Sequence, residues 1–232
     1  MKCLTIPIYL RGKPSNKAVK ASIKHYSKLD LPLHVCGSEG QLSRNYVAPF
    51  ISDKVHYAEV MQARPSTSSG GDDVLRKKFN DSINTHGKNY EWYCMMGADD
   101  LVSLSTFDLL PTSKEPIMAG VSMSELLLIK SMLTQECFSV KLRYRMPLKL
   151  LPGLNCFNRA AMELCNWKPY NSSGCETGAE MYFREYGEVL PLLGYVVMLK
   201  ENDVLNSISH IKSRHPISKG TRDQVELINS LV

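Results

Sequence analysis

RKKFNDSINTHGKNYEWYCMMGADDLVS, residues 76–103, is the stretch that decides the fold. Leu75, Phe79 and Ile83 recur at helical spacing, and Gly87 supplies a helix stop. Residues 90–96 then form an almost unbroken aromatic and apolar run, which reads as a buried strand. Gly97, Ala98, Asp99 and Asp100 follow it, so a pair of carboxylates stands where a central strand ends. In an open α/β sheet, ligands collect outside the carboxyl ends of the strands, which makes Asp99 and Asp100 the first candidates for chemistry.

Outward from this stretch, strands alternate with helices. Residues 3–9 read as a first strand, followed by a helix from Ser15 as N-cap to about Lys28 with Val19, Ile23 and Tyr26 on one face. Residues 33–36 and 55–60 read as short strands joined by a polar connection that carries Pro49. The Ser/Gly cluster at 65–71 reads as a loop beside the ligand edge. Beyond Asp100 the pattern predicts a short helix at 105–110 and a strand at 117–123, and leaves 126–133 undecided between helix and strand. It then predicts a half-exposed strand at 140–146 and a helix at 176–186 with Ala179, Tyr182, Phe183 and Tyr186 inward. A strand at 196–199 precedes a last amphipathic helix using Val225, Ile228 and Val232, opened by a Thr221–Gln224 capping box. Such alternation predicts an α/β fold, a mostly parallel twisted central sheet flanked by helices, in a single domain. There is no internal repeat.

The chain has 232 residues and a net charge of +5, a mild bias toward anionic partners. Its seven cysteines include no C-x-x-C pair, and they read as buried thiols of a reducing compartment rather than a disulfide framework. The first residues read as a strand rather than a signal peptide, and no apolar stretch reaches bilayer length. The expectation is a soluble, cytoplasmic protein.

Two readings of Asp99 and Asp100 are open from the residues alone: a solvated turn or helix cap, or a divalent-cation site. Paired carboxylates approached by Asn80 and by Lys77 or Lys78 suit Mn2+ or Mg2+ bound to a phosphate, because hard oxygen ligands suit hard cations. Between residues 141 and 168, Lys141, Arg143, Arg145, Lys149, Arg159 and Lys168 are opposed only by Glu163, with Tyr144 and Trp167 adding aromatics. That region reads either as a solvated face or as a surface for a polyanion.

The stretch from Arg76 to Ser103 resembles the central part of GT-A-type nucleotide-sugar glycosyltransferases, above all the inverting family 2, where a helix bearing an Asn precedes a strand ending in an Asp-x-Asp-like motif. Thr5-Ile-Pro7-Ile-Tyr9 resembles that family's first strand, and residues 152–161 resemble its Gly-rich stretch leading to an Arg and a helix. Gly174-Cys-Glu176-Thr-Gly is similar to the segment holding its catalytic base. Gly97 stands at the first position of the triplet, leaving Asp99 as the metal-binding aspartate with Asp100 beside it, and the second strand ends in Gly37-Ser38-Glu39.

The resemblance implies a metal-dependent transfer of a sugar from a nucleotide-sugar donor to an acceptor hydroxyl. Residues 1–103 would form the donor half, with Pro7, Tyr9, Arg11, Glu39, Lys77, Asn80, Asp99 and Asp100 at the donor. Residues 104–232 would form the acceptor half, with Glu176 as base and Arg143, Arg145, Asn155 and Trp167 at the acceptor. His210 or His215 would complete the shell of Mn2+ or Mg2+, and Lys212 and Arg214 would either contact the diphosphate or be ordinary surface charge. By the family's layout the basic region belongs to the acceptor half, which leaves two readings open: a polyanionic acceptor such as modified-base DNA, a phosphate-bearing glycan or a lipid-linked phosphate, or an ordinary solvated face. The rival readings are a nucleotidyltransferase of related fold, of which Arg11-Gly12-Lys13 is an echo, and a non-catalytic nucleotide or nucleic-acid binding module.

Overall fold

A computed structural model describes residues 1–10, 16–60, 78–85, 87–122, 127–141, 149–151, 153–170, 175–201 and 216–232, the side chains of Cys175 and Glu176 excepted. A seven-stranded sheet carries the fold. Its strands are β1 (Lys2–Pro7), β2 (Leu33–Gly37), β3 (Val55–Glu59), β4 (Trp92–Met96), β6 (Ile117–Val121), β9 (Leu154–Asn158) and β10 (Glu188–Leu192), in the order β10-β6-β9-β4-β1-β2-β3. Neighbours are parallel except around β9, which runs against β4 and β6.

Burial follows position in that order. The central strands β2, β4, β6 and β9 are buried at every residue, whereas the edge strands β3 and β10 expose some of theirs. Strands covered on both faces read as continuous apolar runs, which is why residues 90–96 are so legible. On β4, Trp92, Cys94 and Met96 join one apolar cluster and Tyr93 and Met95 the other, as the alternation of side chains requires. Helix α1 (Lys17–Tyr26) packs into the first cluster through Ala18, Val19, Ile23 and Tyr26. The second cluster takes Phe79 and Ile83 from the helical residues 78–85 (α3), Ala161 and Met162 from α4 (Arg159–Leu164), and Ala179 and Phe183 from α5 (Cys175–Tyr186).

A smaller sheet, in the order β12-β8-β7-β11-β5, is built from β5 (Asp100–Val102), β7 (Leu127–Ser131), β8 (Cys137–Val140), β11 (Val196–Lys200) and β12 (Ile217–Lys219). The β5–β11 pairing is antiparallel and sets Met198 opposite Asp100. It brings the end of β11 alongside the turn that leaves β4. The last helix, α6 (Arg222–Leu231), opens with the expected Thr221–Gln224 capping box.

Several local expectations are corrected. Asn16, not Ser15, caps α1, its Oδ1 accepting from the Val19 amide at 3.0 Å. The connection carrying Pro49 is a helix, α2 (Gln41–Val47), followed by a 3-10 turn, Ala48–Phe50. Residues 127–131 are a strand, and β10 was not anticipated. Tyr186 points outward at 55% exposure, and Val232 is also exposed while Leu231 is buried in its place. The stretch at 105–110 forms a 3-10 helix, Leu104–Leu109. The 65–71 loop and most of the 140–146 strand lie outside the described residues.

Candidate functional site

Because β1 to β4 are parallel, their carboxyl ends share one edge of the large sheet. Pro7 pairs with Cys36, Gly37 with Glu59, and Thr5 with Met95, so the segments after Pro7, Gly37, Glu59 and Met96 emerge together. Two groups of polar side chains stand there.

The first group closes the ends of β1, β2 and β3. Lys78, at the start of the described part of α3, is 2% exposed; its Nζ donates to the Ile8 carbonyl at 2.6 Å and lies 5.4 Å from the Tyr9 ring centroid. Burial pushes its pKa down to about 8, against the opposing pull of Glu39, Cys36 and Glu59. Glu39 accepts a hydrogen bond from the Leu10 amide. Glu59 accepts from the Gly40 amide at 2.9 Å and from the Tyr57 hydroxyl. Gly37 is required by close approach, since a Cβ there would lie 2.4 Å from the Tyr57 hydroxyl oxygen.

The second group stands at the end of β4. The Gly97 amide donates to the Gly153 carbonyl at 3.1 Å, and the Asp100 amide turns back to the Gly97 carbonyl at 3.2 Å. Asp100 begins β5, is buried, and its Oδ2 would lie 2.1 Å from a Cβ on Gly97. That contact gives the physical reason for a glycine at the first position of the acidic triplet: Asp100 occupies the space of the missing side chain. Tyr26 fixes the same turn from α1, its hydroxyl donating to the Asp100 carbonyl at 3.3 Å and accepting from the Val102 amide at 2.9 Å. Asp99 faces outward, its side chain 42% exposed, and its Oδ2 receives the Lys200 ammonium at 2.8 Å.

Two asparagines named from sequence each hold a buried acceptor with no hydrogen-bond partner among the described residues: Asn80 Oδ1 on α3 and Asn155 Oδ1 on β9. Asn155 pairs with Met95, one residue from the end of β4. Buried polar atoms are nearly always satisfied, so each orphan calls for a partner from outside this set of atoms. Glu176 lies in the first turn of α5. One turn later Glu180 is 2% exposed, accepting from the amides of Lys149 at 2.5 Å and Leu150 at 3.2 Å and pairing with Arg184 at 3.2 Å. It braces the segment at 149–150, which precedes Gly153. Trp167, with φ of 61°, packs edge-on against Tyr93 and under the Lys88 ammonium, 4.8 Å from its ring centroid. Arg11, Lys77, Arg143, Arg145, His210, Lys212, Arg214 and His215 lie outside the described residues.

Sequence reading missed Lys200 and Glu59 and named Lys78 only as an alternative to Lys77. A lysine closing an apolar strand reads as surface charge, and only the β5–β11 register brings Lys200 to Asp99.

Among the described residues, no three His, Cys, Asp or Glu side chains group as a metal site. Asp99 offers one half-exposed carboxylate, the kind of hard oxygen donor a divalent cation takes, and Lys200 now occupies it. No helix among the described residues is long and apolar enough to cross a membrane. The six described cysteines, Cys3, Cys36, Cys94, Cys137, Cys156 and Cys165, are buried free thiols.

No protein-family model matches the sequence, and no curated protein matches it either. Solved structures do. S. aureus TarS 1–349, crystallised in complex with UDP-GlcNAc, superposes with a TM-score of 0.51 at 9% identity, covering 87% of this chain and 59% of that one. The glycosyltransferase GlyE of Streptococcus pneumoniae TIGR4 gives 0.45 at 7% identity over 81% and 44% of the two chains. Rv0371C of Mycobacterium tuberculosis H37Rv, in complex with manganese, gives 0.47 at 9% identity over 91% and 98%. The chain therefore spans about three-fifths of the TarS structure. At such identities the likeness is one of fold, and the GT-A, Rossmann-like architecture expected from sequence is the one found.

Proposed function

We propose that the chain is a nucleotide-sugar glycosyltransferase. The observation that carries this reading is the half-exposed Asp99 carboxylate at the end of β4, paired with the Lys200 ammonium, with the orphaned acceptor of Asn155 opposite Met95 on the neighbouring strand. That arrangement lies at the sheet edge where α/β folds take nucleotides. In the proposed reaction an acceptor hydroxyl attacks the anomeric carbon, the bond to the nucleoside diphosphate breaks, and the hydroxyl proton passes to a carboxylate. Glu176 is the proposed base, and direct attack inverts the sugar.

Asp99 is the residue proposed to hold Mn2+ or Mg2+, with Asp100, His210 and His215 as the further candidates. When bound, the ion would neutralise charge growing on the departing diphosphate. Asn80 and the ends of β1 and β2, with Pro7, Tyr9 and Glu39, would orient the nucleoside. Asn155 would face the reacting sugar or the acceptor, and the basic region around residues 141–168 favours an acceptor that carries phosphate.

The test is release of free sugar from a panel of nucleotide sugars, UDP-GlcNAc first, with Mn2+ present. Sugar release that Asp99→Asn abolishes supports transfer. Pyrophosphate exchange would support the nucleotidyltransferase instead, and UDP binding without turnover the binding module.

A further inference from the structure

Helices α1 and α2 border a cleft of about 610 Å3 whose lining includes Lys17, Lys20, Lys24, Tyr46, Pro49 and Phe50. One wall is cationic. Lys17, Lys20 and Lys24 are exposed, follow one another at helical spacings of three and four, and enter no ion pair among the described residues. Residues 17–26 contain no acidic side chain. Like charges at these spacings repel, and Lys17 sits in the first turn, where the helix dipole disfavours a cation. One carboxylate, Glu201, reaches the start of the helix, where it accepts from the Ala18 amide at 2.6 Å; Lys20 and Lys24 have no ion-pair partner among the described residues.

The opposite wall is apolar. Tyr46 and Phe50, four residues apart across the end of α2 and the following 3-10 turn, are half-buried, with Pro49 between them. The Tyr46 hydroxyl donates to the Asn16 carbonyl, which ties this wall to the start of α1 and fixes the width of the cleft. From Lys17 to Lys24 the helix rises about 10 Å, so the three ammonium groups form one continuous cationic line. Ammonium groups tracking a backbone and aromatic rings offering stacking faces are the two parts of a single-strand site.

We propose that the cleft between α1 and α2 binds single-stranded nucleic acid, its phosphates along Lys17, Lys20 and Lys24 and its bases against Tyr46 and Phe50. This surface uses none of the side chains assigned to sugar transfer, and its assignment stands or falls independently of that reaction.

The test uses a fluorescent oligo-dT of about 12 nucleotides, titrated by anisotropy over a range of salt, with UDP binding measured in parallel on the same protein. Replacing the three lysines with glutamine (K17Q/K20Q/K24Q) should weaken binding roughly 100-fold at low salt and lower the slope of log K against log salt by about 2. Phe50→Leu, which keeps an apolar side chain while removing the ring, should cost about tenfold. Unlabelled polyphosphate of equal charge should compete poorly. Failure of the wild-type protein to bind the oligonucleotide overturns the proposal, as does a triple variant within twofold of it. Polyphosphate binding as tight as the oligonucleotide's, with Phe50→Leu neutral, overturns it in favour of a phosphorylated polymer without bases. UDP binding that survives in the triple variant separates this cleft from the strand-end site.

Discussion

Two lysines stand at the same sheet edge in opposite circumstances. Lys78, where β1 to β3 end, is buried against the Ile8 carbonyl, beside carboxylates that already accept backbone amides. Lys200, where β4 ends, is a quarter exposed and rests on a carboxylate that also faces solvent. The first set of charges is committed to holding the chain, and a ligand arriving there meets a finished surface. The second is exchangeable, since an exposed ion pair holds its partners by about 1 kcal/mol or less. Under the proposed function, nucleoside specificity would fall to the rigid end and cation chemistry to the exchangeable one.

The largest expected effect tests the exchangeable end. Asp99→Asn keeps the shape of a half-exposed side chain and removes its charge, so thermal stability should hold. Sugar release should fall by roughly 100- to 1,000-fold, the range for losing one electrostatic contact to a transition state. Full activity in that variant would move the chemistry away from β4 altogether.

The rigid end is tested by pH. Lys78 is held near a pKa of about 8 in the folded chain against an ordinary 10.5. Between those values the unfolded chain binds a proton that the folded one does not, so this group makes stability rise with pH across the window, by roughly 3 kcal/mol in all. Below pH 8 the folded protein bears the full cost of a buried ammonium. The buried thiols act in the opposite sense: burial raises the pKa of Cys36 to about 12, and its contribution to stability falls as the unfolded thiol ionises. The informative quantity is therefore the difference between wild type and Lys78→Met, measured by urea unfolding from pH 7.5 to 10.5. That difference should grow in favour of the wild type as pH rises. A flat difference would mean that Lys78 is not desolvated, and the contrast between the two ends would lose its basis.

The contrast also shows what the sequence could reveal. The strand 92–96 and the carboxylates after it were legible because a strand covered on both faces leaves a continuous apolar run and its end is marked by Gly97. Helix α2 was not, since Gln41–Val47 offers only Leu42, Tyr46 and Val47 as apolar positions and runs into Pro49. Strand β10 hides behind Pro191, which an edge strand tolerates and a central strand does not. Asn16 replaced Ser15 as the cap because adjacent residues of equal capping power differ only in where the chain bends. Asp99 was found from local signals. Lys200, 101 residues away, depends on a strand pairing that no local pattern encodes. Polar groups that act through long-range register are the part of a site that sequence conceals.

Gly97 tests whether the turn at the exchangeable end is itself rigid. Gly97→Ala places a methyl 2.1 Å from Asp100 Oδ2, so the carboxylate must move out of its buried position. A cost of about 1–3 kcal/mol in unfolding free energy is expected, as for other overpacked sites, and Asp100→Ala should recover part of it in the double variant. Additive costs would show that the two side chains do not share that space.

The smallest effect is the most specific. If Lys200 and a divalent ion compete for Asp99, then Lys200→Met frees the carboxylate, and Mn2+ should bind the variant more tightly than the wild type in the absence of nucleotide. An exposed pair worth up to about 1 kcal/mol limits the gain to roughly fivefold. Adding UDP should narrow the gap, because a diphosphate gives the wild-type ammonium another partner and releases Asp99 to the ion. By linkage the wild type should then gain as much Mn2+ affinity from UDP as it gains UDP affinity from Mn2+. Calorimetric titrations in both orders measure these terms without relying on turnover. Equal Mn2+ affinity in the two proteins would show that Lys200 does not occupy the cation's place, and Asp99 would then join Lys78 among the charges committed to the fold.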